Sequence, residues 1–139
     1  MLFRSLNTGG VSEIVLREII PWNNRKTACI YGGMPLRPEL RVFYDFDSNE
    51  VLFSENYWDY RYVRPSLYDR TDAIVFEAVH DELELICLIY RDRVEEDVAV
   101  AMQGVELEGK WSVDVLIDDA GKLWLIDMAL AERSAYWRG

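Results

Sequence analysis

Apolar and polar positions along the chain keep two rhythms, one of period two and one of three to four residues, with turn residues between them. Residues 11–20 (VSEIVLREII) alternate loosely, stop at Pro21 and run into a polar turn over 23–26, which predicts a strand. In residues 36–46 (LRPELRVFYDF), Leu40, Val42, Tyr44 and Phe46 share one face and Arg37, Glu39, Arg41 and Asp45 the other, as in a strand with one buried side. Asp47, Ser48 and Asn49 supply a turn, residues 51–58 return as a second strand, and the two read as a hairpin. Pro65 marks the loop that follows.

Helical spacing begins after Asp69 and Thr71, either of which suits an N-cap. Ile74, Val75, Val79, Leu83, Ile86 and Ile89 then recur at three- and four-residue intervals and predict a helix to about Tyr90. Val94, Val98, Ala101 and Met102 predict a second, shorter helix that Gly104 stops, with Glu95, Glu96 and Asp97 favourably placed in its first turn. A hairpin of residues 111–118 and 123–128 around an Asp-Ala-Gly-Lys turn, and a mixed tail, close the chain.

These elements predict an α+β fold: an antiparallel sheet of about five strands, covered on one face by one long helix (71–90) and one short helix (95–103). The 139 residues fit a single domain, and with 50% hydrophobic residues it can bury a core unaided. No run approaches the ~20 apolar residues of a membrane span, and residues 1–10 lack the pattern of a signal peptide. The expected location is therefore the cytoplasm, with no membrane partner. The 25 acidic against 15 basic residues, a net charge of −10, argue against direct nucleic-acid binding, which needs clustered Lys and Arg. The same charge permits magnesium or a basic protein as a partner. Cys29 and Cys87, with no CxxC and a single histidine in the chain, argue against a thiolate zinc site and read as buried, reduced thiols.

The last hairpin carries the sharpest chemistry. Ser112, Asp114, Leu116 and Asp118 share a face of its first strand, as Leu123, Leu125 and Asp127 do on its second. A two-residue loop at Ala120 and Gly121, or a four-residue loop, sets Asp114 directly opposite Asp127; a three-residue loop with a bulge at Gly121 shifts that register. Opposed carboxylates have Cβ atoms about 5 Å apart and repel unless a proton or cation intervenes. Magnesium favours one or two carboxylates together with phosphate oxygens. The plain alternative is a pair of solvated aspartates on an open sheet face. Asp127 interrupts the apolar run LWLIDMAL, where an acid is usually paired or functional.

In order along the chain, VLREIIP, LRPELRVFYDF, NYW and WSVDVLIDDAGKLWLIDMA resemble the C-terminal half of an ATP-grasp domain, over about residues 11–137. The likeness extends to its variants in phage and bacterial proteins and in initiation-factor assembly chaperones. The resemblance implies a magnesium-nucleotide binding module with Mg2+ and ATP as cofactors, part of an ATP-dependent ligase that activates a carboxylate. It assigns Asp114 and Asp127 to the metal, Arg41 to the phosphate or acyl phosphate as the catalytic residue, and Arg17 and Glu18 to the hinge beside adenine and ribose. A planar guanidinium suits phosphate, and Glu39 is placed to orient it; a surface ion pair of Arg41 with Glu39 or Asp45 is the alternative.

Two positions depart from the family pattern. Ala129 stands where the family commonly has an asparagine metal ligand, and only about ten residues precede the hinge strand, where the family carries a lysine-bearing N-terminal half. The expected partners are that half within a longer protein, or another chain, a second copy in a homodimer included. A different use of the fold is the competing function: a non-catalytic acidic interaction module, an inhibitor or nucleic-acid mimic, engaging a basic partner.

His80 reads as a solvent-facing helical residue, and Asp81, Glu82 and Glu84 as a solvated charge run. Ser134 has no GxSxG elbow or second histidine to make a hydrolase triad, and Gly9 and Gly10 lack the lysine of a phosphate-binding loop. Tyr57, Trp58, Tyr60 and Tyr62 form an aromatic cluster that closes an edge of the core or makes an interface, with base stacking or peptide binding as the alternative.

Overall fold

The computed structural model describes residues 27–139. The strand expected over 11–20 and the hinge positions Arg17 and Glu18 lie outside the described residues. Within them the fold is α+β, with two helices, a four-stranded antiparallel sheet and a separate two-stranded ribbon. This corrects the expected single sheet of about five strands.

The ribbon pairs β1 (Cys29–Ile30) with β2 (Met34–Pro35) around a tight turn in which Tyr31, Gly32 and Gly33 all take positive φ. Next come β3 (Glu39–Asp45) and β4 (Glu50–Asn56), then α1 (Tyr60–Ser66), α2 (Arg70–Met102), β5 (Lys110–Ile117) and β6 (Leu123–Leu130). The sheet order β4-β3-β5-β6 places β3 and β5 at its centre, and both hairpins expected from the alternation are present. Pro65, expected in a loop, lies inside α1 near its end. A prolyl nitrogen there removes one helical hydrogen bond, and the helix stops one residue later.

Helix α2 corrects the expected pair of helices. It runs unbroken for 33 residues, about 50 Å at the helical rise. Asp69 caps it by accepting from the Asp72 N–H at 3.0 Å, and Gly104, at φ 81, follows its end. Arg91, Asp92 and Arg93 interrupt the apolar pattern but contain no breaker, so polarity alone does not end the helix. Along it the buried stripe changes partners. Ala73, Phe76 and Leu83 join Ile30, Leu36, Trp58, Val63 and Leu67 beneath the ribbon and α1. Cys87, Val94, Val98 and Met102 join Leu40, Val42, Tyr44, Val113, Val115 and Ile117 on the sheet. Ile74 and Ile89, expected in the core, are exposed on the outer face with Leu85 and Leu88.

Of the two thiols only Cys87 is buried, and burial pushes it up to about 12; Cys29 is exposed, against expectation. His80 is not solvent-facing either. Its ring lies tilted 4.5 Å from that of Tyr60 and 5.7 Å from that of Phe76, centre to centre, with Asp81 3.3 Å from Nδ1.

The face of the sheet away from α2 receives the tail. After the 3-10 turn Ala131–Arg133, Trp137 stacks on Phe53 at 6.0 Å and lies tilted 5.2 Å from Phe43, which fills a position between Arg41 and Asp45. Ser134 bonds to Ser112 and Leu130, and Tyr136 donates to the Tyr57 carbonyl at 2.8 Å. Arg138 pairs with Glu55.

Candidate functional site

Between Phe43 and the ribbon, this second face carries a transverse row of charge. Antiparallel registers align Glu55 of β4 with Arg41 of β3, Arg41 with Asp114 of β5, and Asp114 with Asp127 of β6. The sheet therefore presents acid, base, acid, acid across its four strands. The carboxylate pair expected from the sequence is present, although the route to it differs.

The hairpin loop has three residues, Asp119, Ala120 and Gly121, with the Asp118 N–H donating to the Lys122 carbonyl. Asp118 is a turn organiser rather than a member of the charged face. Its carboxylate accepts from the Ala120 and Lys122 N–H groups and from the Trp124 indole. These bonds hold its carboxyl below the usual range against the opposing effect of burial. Such a loop shifts the register by one, so Val115 faces Leu125 and Ile117 faces Leu123. One extra residue, Ile126, then bulges between Leu125 and Asp127 and cancels the shift. Leu125 and Met128 thus both pack toward α2, and Asp127 sits opposite Asp114. The expectation that Leu123, Leu125 and Asp127 share a face is corrected by this bulge.

Arg41 does not pair with Glu39 or Asp45 but across the strand with Asp114. Its Nε and Nη2 donate to the two carboxylate oxygens at 2.8 Å each, with side chains 12% and 6% exposed. Nη1 donates to the Ala135 carbonyl at a longer 3.4 Å, and the guanidinium lies 4.9 Å from the centre of the Tyr57 ring. Burial works against the charge of Arg41, but the bonds and charge of Asp114 outweigh it and raise its affinity for the proton. Glu39, beside Arg41, is pushed up to about 8, chiefly by burial and then by the Asp114 charge. Its surroundings thus favour the protonated form. The row thus holds one balanced pair, Arg41 and Asp114, flanked by Glu55, which pairs with Arg138, and by one exposed carboxylate, Asp127, to which no group donates among the described residues; Glu39 stands beside the row.

Asp114 and Asp127 supply hard oxygen ligands of the kind magnesium takes; Ala129, opposite Ser112, supplies none from its side chain. Elsewhere in the described residues half-buried His80 and exposed Asp81 and Glu84 bring ligand atoms within 4.8 Å of one another along α2. Sequence reasoning missed the tail's part in the site. Ala135 and Tyr136 border Arg41 through a chain reversal that no local pattern encodes, and an aromatic pair in an otherwise polar tail is its one trace. Comparison of the chain with family models, with curated proteins and with solved structures gives no match.

Proposed function

We propose that Arg41, Asp114 and Asp127 bind a divalent cation together with the phosphates of a nucleotide, as a module of the ATP-grasp type. The observation that carries this reading is the register that sets Asp127 opposite Asp114, on the face that also bears Arg41. In the free protein the guanidinium holds the Asp114 carboxylate in place. Asp114 and Asp127 would hold the cation, and the Nε and Nη2 edge of Arg41, which now donates to Asp114, offers the fork of donors that phosphate oxygens would accept. A bound magnesium ion supplies charge neutralisation at the phosphates. Completed by a wall from elsewhere in a longer protein or from a partner chain, the module would serve ATP-dependent activation of a carboxylate.

Isothermal titration of the full chain with magnesium chloride and ATP tests the reading. Heat is expected from the wild type and its loss from Asp127→Asn, a change at an exposed position that the fold tolerates. No heat from the wild type, or equal heat from the variant, removes it. The second reading, an acidic interaction module, is favoured by the exposed run of Asp81, Glu82 and Glu84 on α2. A salt-sensitive complex with a basic protein that survives Asp127→Asn would support that reading instead.

A further inference from the structure

Beside Arg41, between the ribbon, α1 and the tail, lies a cleft of about 410 Å³, within the size range of small-molecule sites. Its walls are aromatic. Tyr57 meets Trp58 edge-on at 5.0 Å, and Tyr62 meets Tyr136 at 4.9 Å. Among the residues lining it, Arg41 is the one that carries a charge. Of the four tyrosine hydroxyls in the wall, Tyr31 bonds to Ser66 and Tyr136 to the Tyr57 carbonyl. The charged donor toward the cleft is the Nη1 end of Arg41: its Nε and Nη2 are held by Asp114, and the hydrogen bond of Nη1, to the Ala135 carbonyl, is long.

Two of the bulky residues here, Tyr31 at φ 51 and Tyr136 at φ 72, hold the left-handed backbone conformation that side chains disfavour. Such strain persists only where surrounding contacts enforce it, and it gathers at ligand sites. Both strained tyrosines point to the same cavity, independently of the charged row.

We infer that this cleft binds a small aromatic carboxylate, its ring between the tyrosines and its carboxylate on Nη1 of Arg41. An aromatic acid matches a flat apolar chamber with one cationic donor at its floor. The inference shares Arg41 with the nucleotide reading and depends on it in nothing else.

Binding of 3-phenylpropionate, its primary amide and phenethylamine to the full chain, followed by saturation-transfer NMR and titration calorimetry, tests it. The acid is expected to saturate, and the amide to bind about tenfold more weakly, the worth of one charge-assisted bond. Tyr62→Ala, at a half-exposed position, is expected to weaken the acid about fivefold with the thermal melt unchanged. Equal binding of acid and amide, preference for the amine, or no saturation up to about 10 mM would overturn the inference. Acid binding without magnesium-ATP binding would remove the nucleotide reading alone; the reverse result would remove this one alone.

Discussion

Arg41 and Asp114 face each other across β3 and β5 and are joined by two parallel hydrogen bonds of 2.8 Å, which makes them one neutral unit at the centre of the sheet. Removing either partner leaves a nearly buried charge uncompensated, at a cost of about 3 kcal/mol. Asp114→Asn and Arg41→Met should each lose that much stability in urea unfolding, and the Arg41→Met/Asp114→Leu double variant much less than the sum. Additive losses would show that the two are not coupled.

Glu39 gives the fold a pH dependence with a definite sign. Its folded value, about 8, lies above the ordinary 4.5, so the folded chain holds a proton that the unfolded chain releases. The contribution is fully present below about pH 4.5, declines as pH rises and is lost above about pH 8, with a slope of at most about 1.4 kcal/mol per pH unit. Glu39→Gln should flatten this decline and be more stable than the wild type at about pH 9. Parallel stability curves for the two proteins would show that Glu39 does not titrate in this window.

Gly121 meets two separate constraints. Its φ of 78 disfavours any side chain, and an added Cβ would stand 2.5 Å from the Tyr90 hydroxyl. Gly121→Ala should therefore cost about 1–3 kcal/mol. In a Tyr90→Phe background only the steric part is relieved, because the nearest ring carbon stands at 3.4 Å. Complete rescue by Tyr90→Phe would assign the whole cost to the clash.

Trp137 fastens the tail over Phe43 and Phe53. Trp137→Ala should lose about 2 kcal/mol and speed tryptic cleavage after Arg133, while Trp137→Phe stays close to the wild type. Cleavage unchanged in the alanine variant would place the hold on the tail at Tyr136 and Arg138.

Where signals are local, the sequence is a good guide to this fold. Alternation finds β3, β4, β5 and β6, and Asp69 announces the start of α2. Where two effects cancel, it is a poor one. The Asp114–Asp127 pairing follows from a two-residue loop with no bulge, but the molecule reaches it through a three-residue loop and a compensating bulge at Ile126. The apolar gap at Arg91 to Arg93 reads as a break, yet α2 runs straight through it on the sheet core, having passed from one core to the other earlier, between Leu83 and Cys87. Arg41 is legible as a candidate from its strand, whereas the closure of its surroundings by Ala135 and Tyr136 depends on contacts about a hundred residues apart.

That unbroken passage of α2 through both cores has a thermodynamic consequence. The two clusters share a wall, since the same rod of backbone hydrogen bonds lines each. Melting the apolar nest under the ribbon frays the spine on which the sheet rests, so the tyrosine cleft and the carboxylate row share one fate on heating rather than two.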